Sequence, residues 1–151
     1  MRFLLCLIVV STLFLTGCGE QLPPGMPKPY PVTIQVVSEG KPVEGVSVLF
    51  FPEDRTSRWG SGGTTDSAGN VSIKTLGKYN GAPPGKYAMS ISKIEMVLKP
   101  GGNPDNPVYD YYDLVAPKFN NMVEPAIWVD VVKGKNVFVQ EVGPLVRIKQ
   151  K

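Results

Sequence analysis

Between Tyr30 and Val36 every second residue is apolar. Tyr30, Val32, Ile34 and Val36 fall on one face of an extended chain, with Thr33 and Gln35 on the other, a period that suits a half-covered strand and not a helix. Five more segments carry strand chemistry. Val46 to Phe51 (VSVLFF) is a β-branched and aromatic run suited to a central strand, Val71 and Ile73 alternate with Asn70, Ser72 and Lys74, and Tyr87, Met89 and Ile91 alternate within KYAMSISKI. AIWVDVV and NVFVQEV follow, separated by Lys133, Gly134 and Lys135, and Leu145, Val146 and Ile148 suggest an edge strand in the tail, residues 144–151. Turn-rich segments such as SEGKP and PEDRTSRWGSGG lie between, and no window carries the period of an amphipathic helix. The expected fold is all-β: an antiparallel Greek-key β-sandwich of about seven strands over residues 30–143, with two sheets burying their Val, Ile, Phe and Met faces against each other.

The chain before this domain is of a different kind. Arg2 supplies one positive charge, and an apolar run from Phe3 to Val10 resumes at Leu13 to Leu15 after Ser11 and Thr12, then stops at Gly17, Cys18 and Gly19. That is the form of a secretory signal, and it is shorter than the roughly 20 apolar residues of a spanning helix. Leu15, Thr16, Gly17 and Cys18 resemble the lipobox of bacterial lipoproteins, in which a leucine and two small residues precede an invariant cysteine. The resemblance implies that signal peptidase recognises Leu15, Thr16 and Gly17 and cuts before Cys18. The cysteine then carries a diacylglyceryl group on its thiol and an acyl chain such as palmitate on its freed amine. Two or more chains anchor a protein stably where one binds only marginally.

Several expectations follow from that cleavage. Loss of residues 1–17 leaves 134 of the 151, enough for one domain with a genuine core. Cys6 departs with the signal and Cys18 is lipidated, so no thiol remains for a disulfide and the sandwich must hold by packing alone. The formal charge falls from +3 to +2 with Arg2, and no cluster of Lys and Arg makes a nucleic-acid face. Residues 18–29, with Pro23, Pro24, Pro27 and Pro29, read as a tether of polyproline-like backbone. At about 3.1 Å per residue it would hold the domain roughly 30 Å from a bilayer. Gly19 stands where an aspartate retains some lipoproteins at the inner membrane, so the expected place is the cell envelope, at the outer membrane or its periplasmic face.

The segment from Lys99 to Pro125 is rich in Pro, Gly, Asn and Asp and carries Tyr109, Tyr111, Tyr112 and Phe119 without a clean period. It reads as a long connection, and structureless connections beyond about 12–15 residues are usually functional or mobile. The three tyrosines, together with Trp59 in its Gly/Ser-rich turn, are therefore the candidate ligand-binding residues, since flat exposed rings suit sugars and protein partners. The plainer expectation is that the tyrosines cover one open end of the sandwich. Trp128, between Ile127 and Val129, is expected to be partly buried.

Three segments, EGKPVEGVSVLFFPED, GGTTDSAGNVSIKT and GAPPGKYAMSISK, together resemble the carboxypeptidase regulatory-like and transthyretin-like domains. The likeness covers about residues 30–142. It extends to Pro117, Lys118, Phe119, Asn120 and Asn121 and to the turn Lys133, Gly134, Lys135 and Asn136. It implies a prealbumin-like, Ig-like sandwich and says more of architecture than of chemistry. The residues also have plain physical readings: Gly40 and Gly45 bracket a turn around Pro42, Asp66 closes an Asx-turn, and Gly69 takes positive φ.

Little in the sequence points to catalysis. There is no histidine, which removes the commonest general base and transition-metal ligand, and no catalytic residue, metal or cofactor is expected. Ser90-x-x-Lys93 in a strand puts its two side chains on opposite faces, unlike the helical S-x-x-K arrangement. Asp110 and Asp113 fit no defined calcium loop. A Lys–Asn isopeptide bond from Lys41 or Lys74 to Asn136 lacks an identifiable buried acid. The expected function is a lipid-anchored, non-enzymatic binding or structural module of the envelope, held to the membrane through Cys18, with an envelope protein or glycan as partner. The alternative is a carbohydrate-binding module that uses the loop aromatics.

Overall fold

The computed structural model describes residues 21–101 and 105–150. The signal segment and the lipidation residues Leu15, Thr16, Gly17 and Cys18 thus lie outside the described residues. Within them the chain forms strands β1 (Val32–Ser38), β2 (Lys41–Pro42), β3 (Ser47–Pro52), β4 (Ser61–Thr64), β5 (Asn70–Ser72), β6 (Lys74–Thr75), β7 (Tyr79–Asn80), β8 (Gly85–Ser92), β9 (Ile94–Leu98), β10 (Tyr109–Asp113), β11 (Trp128–Val131), β12 (Asn136–Glu141) and β13 (Ile148–Lys149). A single 3₁₀ turn, Pro117–Asn120, precedes β11. The all-β class is as expected. The strand number exceeds the expected seven because the two-residue pieces β2, β6 and β7 pair beside turns and because β4, β9 and β10 lie where connections were expected.

Two of the sheets make the sandwich. In the first, β1 lies between β12 on one side and β2 and β5 on the other. In the second the order is β11-β8-β3-β4-β6-β7. Val32, Ile34 and Val36 from β1 and Val71 from β5 meet Val48 and Phe50 from β3 and Tyr87, Met89 and Ile91 from β8 in one buried cluster. Tyr87 shows what that burial does. Its ring lies 5.3 Å from that of Phe50, its hydroxyl donates to the Pro83 carbonyl at 2.7 Å, and desolvation pushes its pKa up to about 12.

One pairing departs from the antiparallel arrangement expected. β1 and β12 run parallel, from Val32 opposite Asn136 to Val37 opposite Glu141. The cause is the turn at Lys133–Lys135, which does not fold β12 back onto β11. β11 pairs with β8 in the second sheet, so the turn hands the chain across the core to β1. Asn136 fixes this crossing. Its buried amide donates to the carbonyls of Val132 at 3.0 Å, Gly134 at 3.1 Å and Pro31 at 3.3 Å, and its oxygen accepts the Val132 N–H at 3.0 Å.

The turn after β4 follows its sequence reading. Asp66 Oδ1 accepts the N–H groups of Ala68 and Asn70, both at 2.9 Å, and Gly69 sits at φ +73°. A Cβ there would lie 2.7 Å from the Val36 carbonyl oxygen. Just before it, the buried Thr65 hydroxyl accepts the Val46 N–H at 2.8 Å and donates to the Val43 carbonyl at 2.7 Å. This clips the start of β3 to the turn.

The expected long connection contains ordered strand. β10 pairs antiparallel with β9 over five residues and with β13 at its far edge, making a third, three-stranded sheet. β9 and β10 therefore pair as a hairpin, which a sequence reading loses because the tyrosines and aspartates of β10 do not alternate apolar with polar. Register also places this sheet. Pro52 of β3 pairs with Tyr87 near the start of β8 and Ser47 with Ser92 at its end. Tyr30 bridges to Ala82, just before β8 begins. The N-terminal segment thus enters at one end of β8, and β9 leaves from the other.

The Pro-rich segment is not extended throughout. Met26 donates its N–H to the Pro23 carbonyl at 3.0 Å across a turn with Gly25 at φ +80°, and the Met26 side chain is buried. The turn shortens the reach that a fully extended segment would have.

Candidate binding surface

β3 is apolar on both faces. Val48 and Phe50 point into the core, while Leu49 and Phe51 are 42% and 40% exposed on the outer side of the second sheet. Beside them β4 contributes Gly62 and Gly63, with Gly62 directly opposite Leu49. A Cβ on Gly62 would stand 2.7 Å from Leu49 Cδ2 and 2.7 Å from the Val48 carbonyl oxygen. Leu49 lies against the bare backbone of Gly62, and this outer face carries an open groove of about 610 Å³, lined in part by Leu49, Phe51 and Pro52 and reached by Arg58 and Lys74. Its floor is apolar and both charged residues in its lining are cations. Such a surface suits a flat or apolar group carrying negative charge.

Trp59 stands at this end of the molecule, beside the groove-lining Arg58, whose guanidinium lies 5.4 Å from the indole ring centroid. The loop holding both is shaped by Asp54. Its Oδ1 accepts the Thr56 hydroxyl at 2.6 Å and the Thr56 N–H at 2.9 Å, and these bonds hold its carboxyl below the usual range. Farther along the same face, Phe51, Ala88 and Trp128 are in register across three strands. Trp128 is 44% exposed instead of partly buried, because Val129 and Val131 take the inward positions of β11 and alternation leaves the indole outside. Lys86 lies 4.8 Å from the Trp128 ring centroid and pairs with Glu53 at 2.8 Å. The hydrogen bond and the charge of Glu53 raise the pKa of Lys86.

The candidate aromatics are not gathered into one site. Trp59 precedes β4 near the level of Pro52, whereas Tyr109, Tyr111 and Tyr112 lie on β10, beyond the opposite end of β8. The length of β3 alone separates them by roughly 17 Å. Tyr109 and Tyr111 are 40% and 43% exposed and share a face with Ile94, Met96 and Leu98 of β9. Tyr112 points to the other face, its ring 4.2 Å from the Arg147 guanidinium. On that face Asp110 meets Lys149 at 3.0 Å and Lys99 at 3.3 Å. The Lys149 hydrogen bond, with lesser help from Lys99, keeps its carboxyl below the usual range. Asp113 instead accepts from Gln150 at 3.0 Å, so the two aspartates serve different contacts.

The remaining chemical candidates are also held apart. Ser90 donates to Asn120 Oδ1 at 2.6 Å, tying β8 to the 3₁₀ turn whose Phe119 is buried, while Lys93 Nζ bonds the Glu44 carbonyl. Lys41 faces Ser38 at one end of β1, and Asn136 faces Val32 at the other. Leu49, Phe51, Arg58 and Lys74 are not among the ligand-binding residues expected from the sequence. The signal that could have found two of them is the unbroken run VSVLFF. A strand covered on one face alone would carry polar residues at positions 49 and 51.

No protein-family model matches the chain, and no curated protein matches it in sequence. Among solved structures, a candidate adhesin from Bacteroides ovatus ATCC 8483 aligns with TM-score 0.40 and 16% identity over 89% of this chain and 50% of its own. A 9R-lipoxygenase from Cyanothece PCC8801 aligns with TM-score 0.38 and 16% identity over 76% of this chain and 16% of its own. The chain therefore spans half or less of the length of the structures it resembles.

Proposed function

We propose that this chain is a lipid-anchored, non-enzymatic module of the cell envelope, tethered through Cys18, whose β-sandwich serves a binding or structural role outside the cytoplasm. The observation that carries the reading is the placement of Leu15, Thr16, Gly17 and Cys18 at the end of a short apolar run and directly before a Pro-rich segment. The outer face of the second sheet supports a binding role. Its groove combines exposed Leu49 and Phe51 with Arg58 and Lys74, and an apolar surface rimmed by charge is the usual form of a docking site.

The test is metabolic labelling with a fatty-acid analogue in cells producing the wild-type chain or Cys18→Ala. Labelled, membrane-bound wild type beside unlabelled, released Cys18→Ala is the expected result. An unlabelled wild type makes the chain an ordinary secreted domain and ends the proposal. The carbohydrate reading rests on half-buried Trp59 and on exposed Tyr109 and Tyr111. Since these are divided between two ends of the molecule, it predicts two separable glycan sites, and a glycan array probed with Trp59→Ala and Tyr111→Ala variants would resolve them.

A further inference from the structure

The third sheet has an open edge with unusual chemistry. β9 pairs with β10 on one side only, and among the described residues no strand lies on its other side. The hydrogen bonds flanking the hairpin, Leu114 N–H to the Lys93 carbonyl and Lys99 N–H to the Val108 carbonyl, fix which residues face β10. With the register of Glu95 opposite Tyr112 and Val97 opposite Asp110, they turn the odd-numbered residues of β9 toward β10. The backbone groups of Ile94, Met96 and Leu98 therefore line the open edge.

The same three side chains are exposed, at 53%, 64% and 56%, and continue into Tyr109 and Tyr111 on the same face. Solitary edge strands are usually blunted by a lysine, a proline or a bulge, or are kept very short. β9 has none of these. It runs five residues, Ile-Glu-Met-Val-Leu, with no positive charge. Its one charged side chain, Glu95, is paired with Arg147 at 2.8 Å on the opposite face of the sheet. β13, at the other edge, is only two residues long and includes Lys149.

We propose that the open edge of β9 is where two copies of this chain pair. An antiparallel pairing about a two-fold axis at Met96 sets Met96 against its counterpart and Ile94 against Leu98 of the second copy. The edge amides and carbonyls then close up to about six hydrogen bonds. The arrangement is compatible with itself in charge. Glu95 falls opposite Val97 of the second copy, so no like charges meet. Two three-stranded sheets become one six-stranded sheet with an apolar face shared between copies. An edge contact of this size falls below that of a stable dimer, so the association is concentration-dependent, as it is for other small interfaces. The pairing needs no lipid on Cys18 and stands or falls separately from the anchor.

The test is site-specific disulfide trapping with the full chain in its own membranes, under mild oxidation and read on a non-reducing gel against wild type, which supplies the background from Cys6 and Cys18. A residue pair of this type places Cα atoms about 5.5 Å apart, within the range a disulfide accepts. Met96→Cys should therefore trap a covalent dimer. Leu98→Cys alone should not, because its counterpart lies too far along the strand, whereas Leu98→Cys mixed with Ile94→Cys should. Val123→Cys, outside any strand and 89% exposed, gives the collisional level. Trapping at Met96 no greater than at Val123, or as great at Leu98 as at Met96, overturns the proposal.

Discussion

The backbone N–H of Glu39 donates to Glu141 Oε1 at 2.9 Å, across a hundred residues of chain. The same carboxylate accepts the N–H of Gly40 at 3.2 Å and of Gly143 at 2.9 Å, so the end of β12 caps the turn that follows β1. Glu39 and Gly40 both have positive φ, 50° and 74°, which is the two-residue hairpin geometry whose twist matches its strands. A carboxylate that three amides stabilise titrates below its ordinary value of 4.5, with the Glu39 bond the leading cause.

A pH dependence follows from that cap. Because the folded pKa is depressed, the contribution of Glu141 is complete above the ordinary carboxylate value and is lost as pH falls through the lower folded value. Glu141→Gln should melt below wild type at neutral pH. The gap between the two should close in acid, beginning below about pH 4.5. Thermal unfolding followed by circular dichroism from pH 7 to pH 3 measures this, and a gap that stays constant across that range contradicts it.

Adjacent residues of β3 should respond very differently to truncation. Phe50 is 2% exposed in the core and Phe51 is 40% exposed beside the groove. Phe50→Ala should cost about 3–5 kcal/mol, and Phe51→Ala about 1–2 kcal/mol. Urea unfolding of the two variants checks the ratio. Equal losses would mean that Phe51 is covered by something other than solvent.

Gly69→Ala tests the turn before β5. The substitution forces an L-residue to φ +73° and pushes a methyl to 2.7 Å from the Val36 carbonyl oxygen. That carbonyl accepts from Val43, and the Val36 N–H in turn donates to the Gly69 carbonyl. A loss of at least about 1–3 kcal/mol is expected from unfolding curves. A neutral result would show that the turn relaxes freely.

Side-chain direction was the legible part of this fold. Alternation correctly assigns Val32, Ile34, Val36, Val71, Ile73, Tyr87, Met89 and Ile91 to the core, and all are buried. The same rule places Trp128 outside once Val129 and Val131 are inside, so the expectation of partial burial overlooked a parity already present in the sequence. Long-range partners were not legible. The parallel pairing of β1 with β12 depends on which sheet receives the chain after Lys135, and no local pattern records that. The β9–β10 hairpin escaped for a related reason. Its apolar face is unpartnered within the described residues, so Tyr109 and Tyr111 alternate with Asp110 and Tyr112 instead of with a uniformly polar set.

The groove was hidden in a different way. Its floor is Leu49, Phe51 and Pro52, and it is bordered by Gly62 and Gly63, which in sequence look like an ordinary turn. Phe51→Asp should remove part of its apolar floor, since Phe51 is 40% exposed on the outer face. If the outer face of the second sheet is the binding surface, that variant abolishes partner capture by membrane-extracted protein, and Tyr111→Ala at the far end does not.

The anchor is the central claim and has a direct readout in the mass of the mature N-terminal peptide, recovered from membranes after proteolysis. A peptide that begins at Cys18 and carries a diacylglyceryl group is the predicted species. A peptide with an unmodified Cys18, or one that begins at any other residue, would contradict the account.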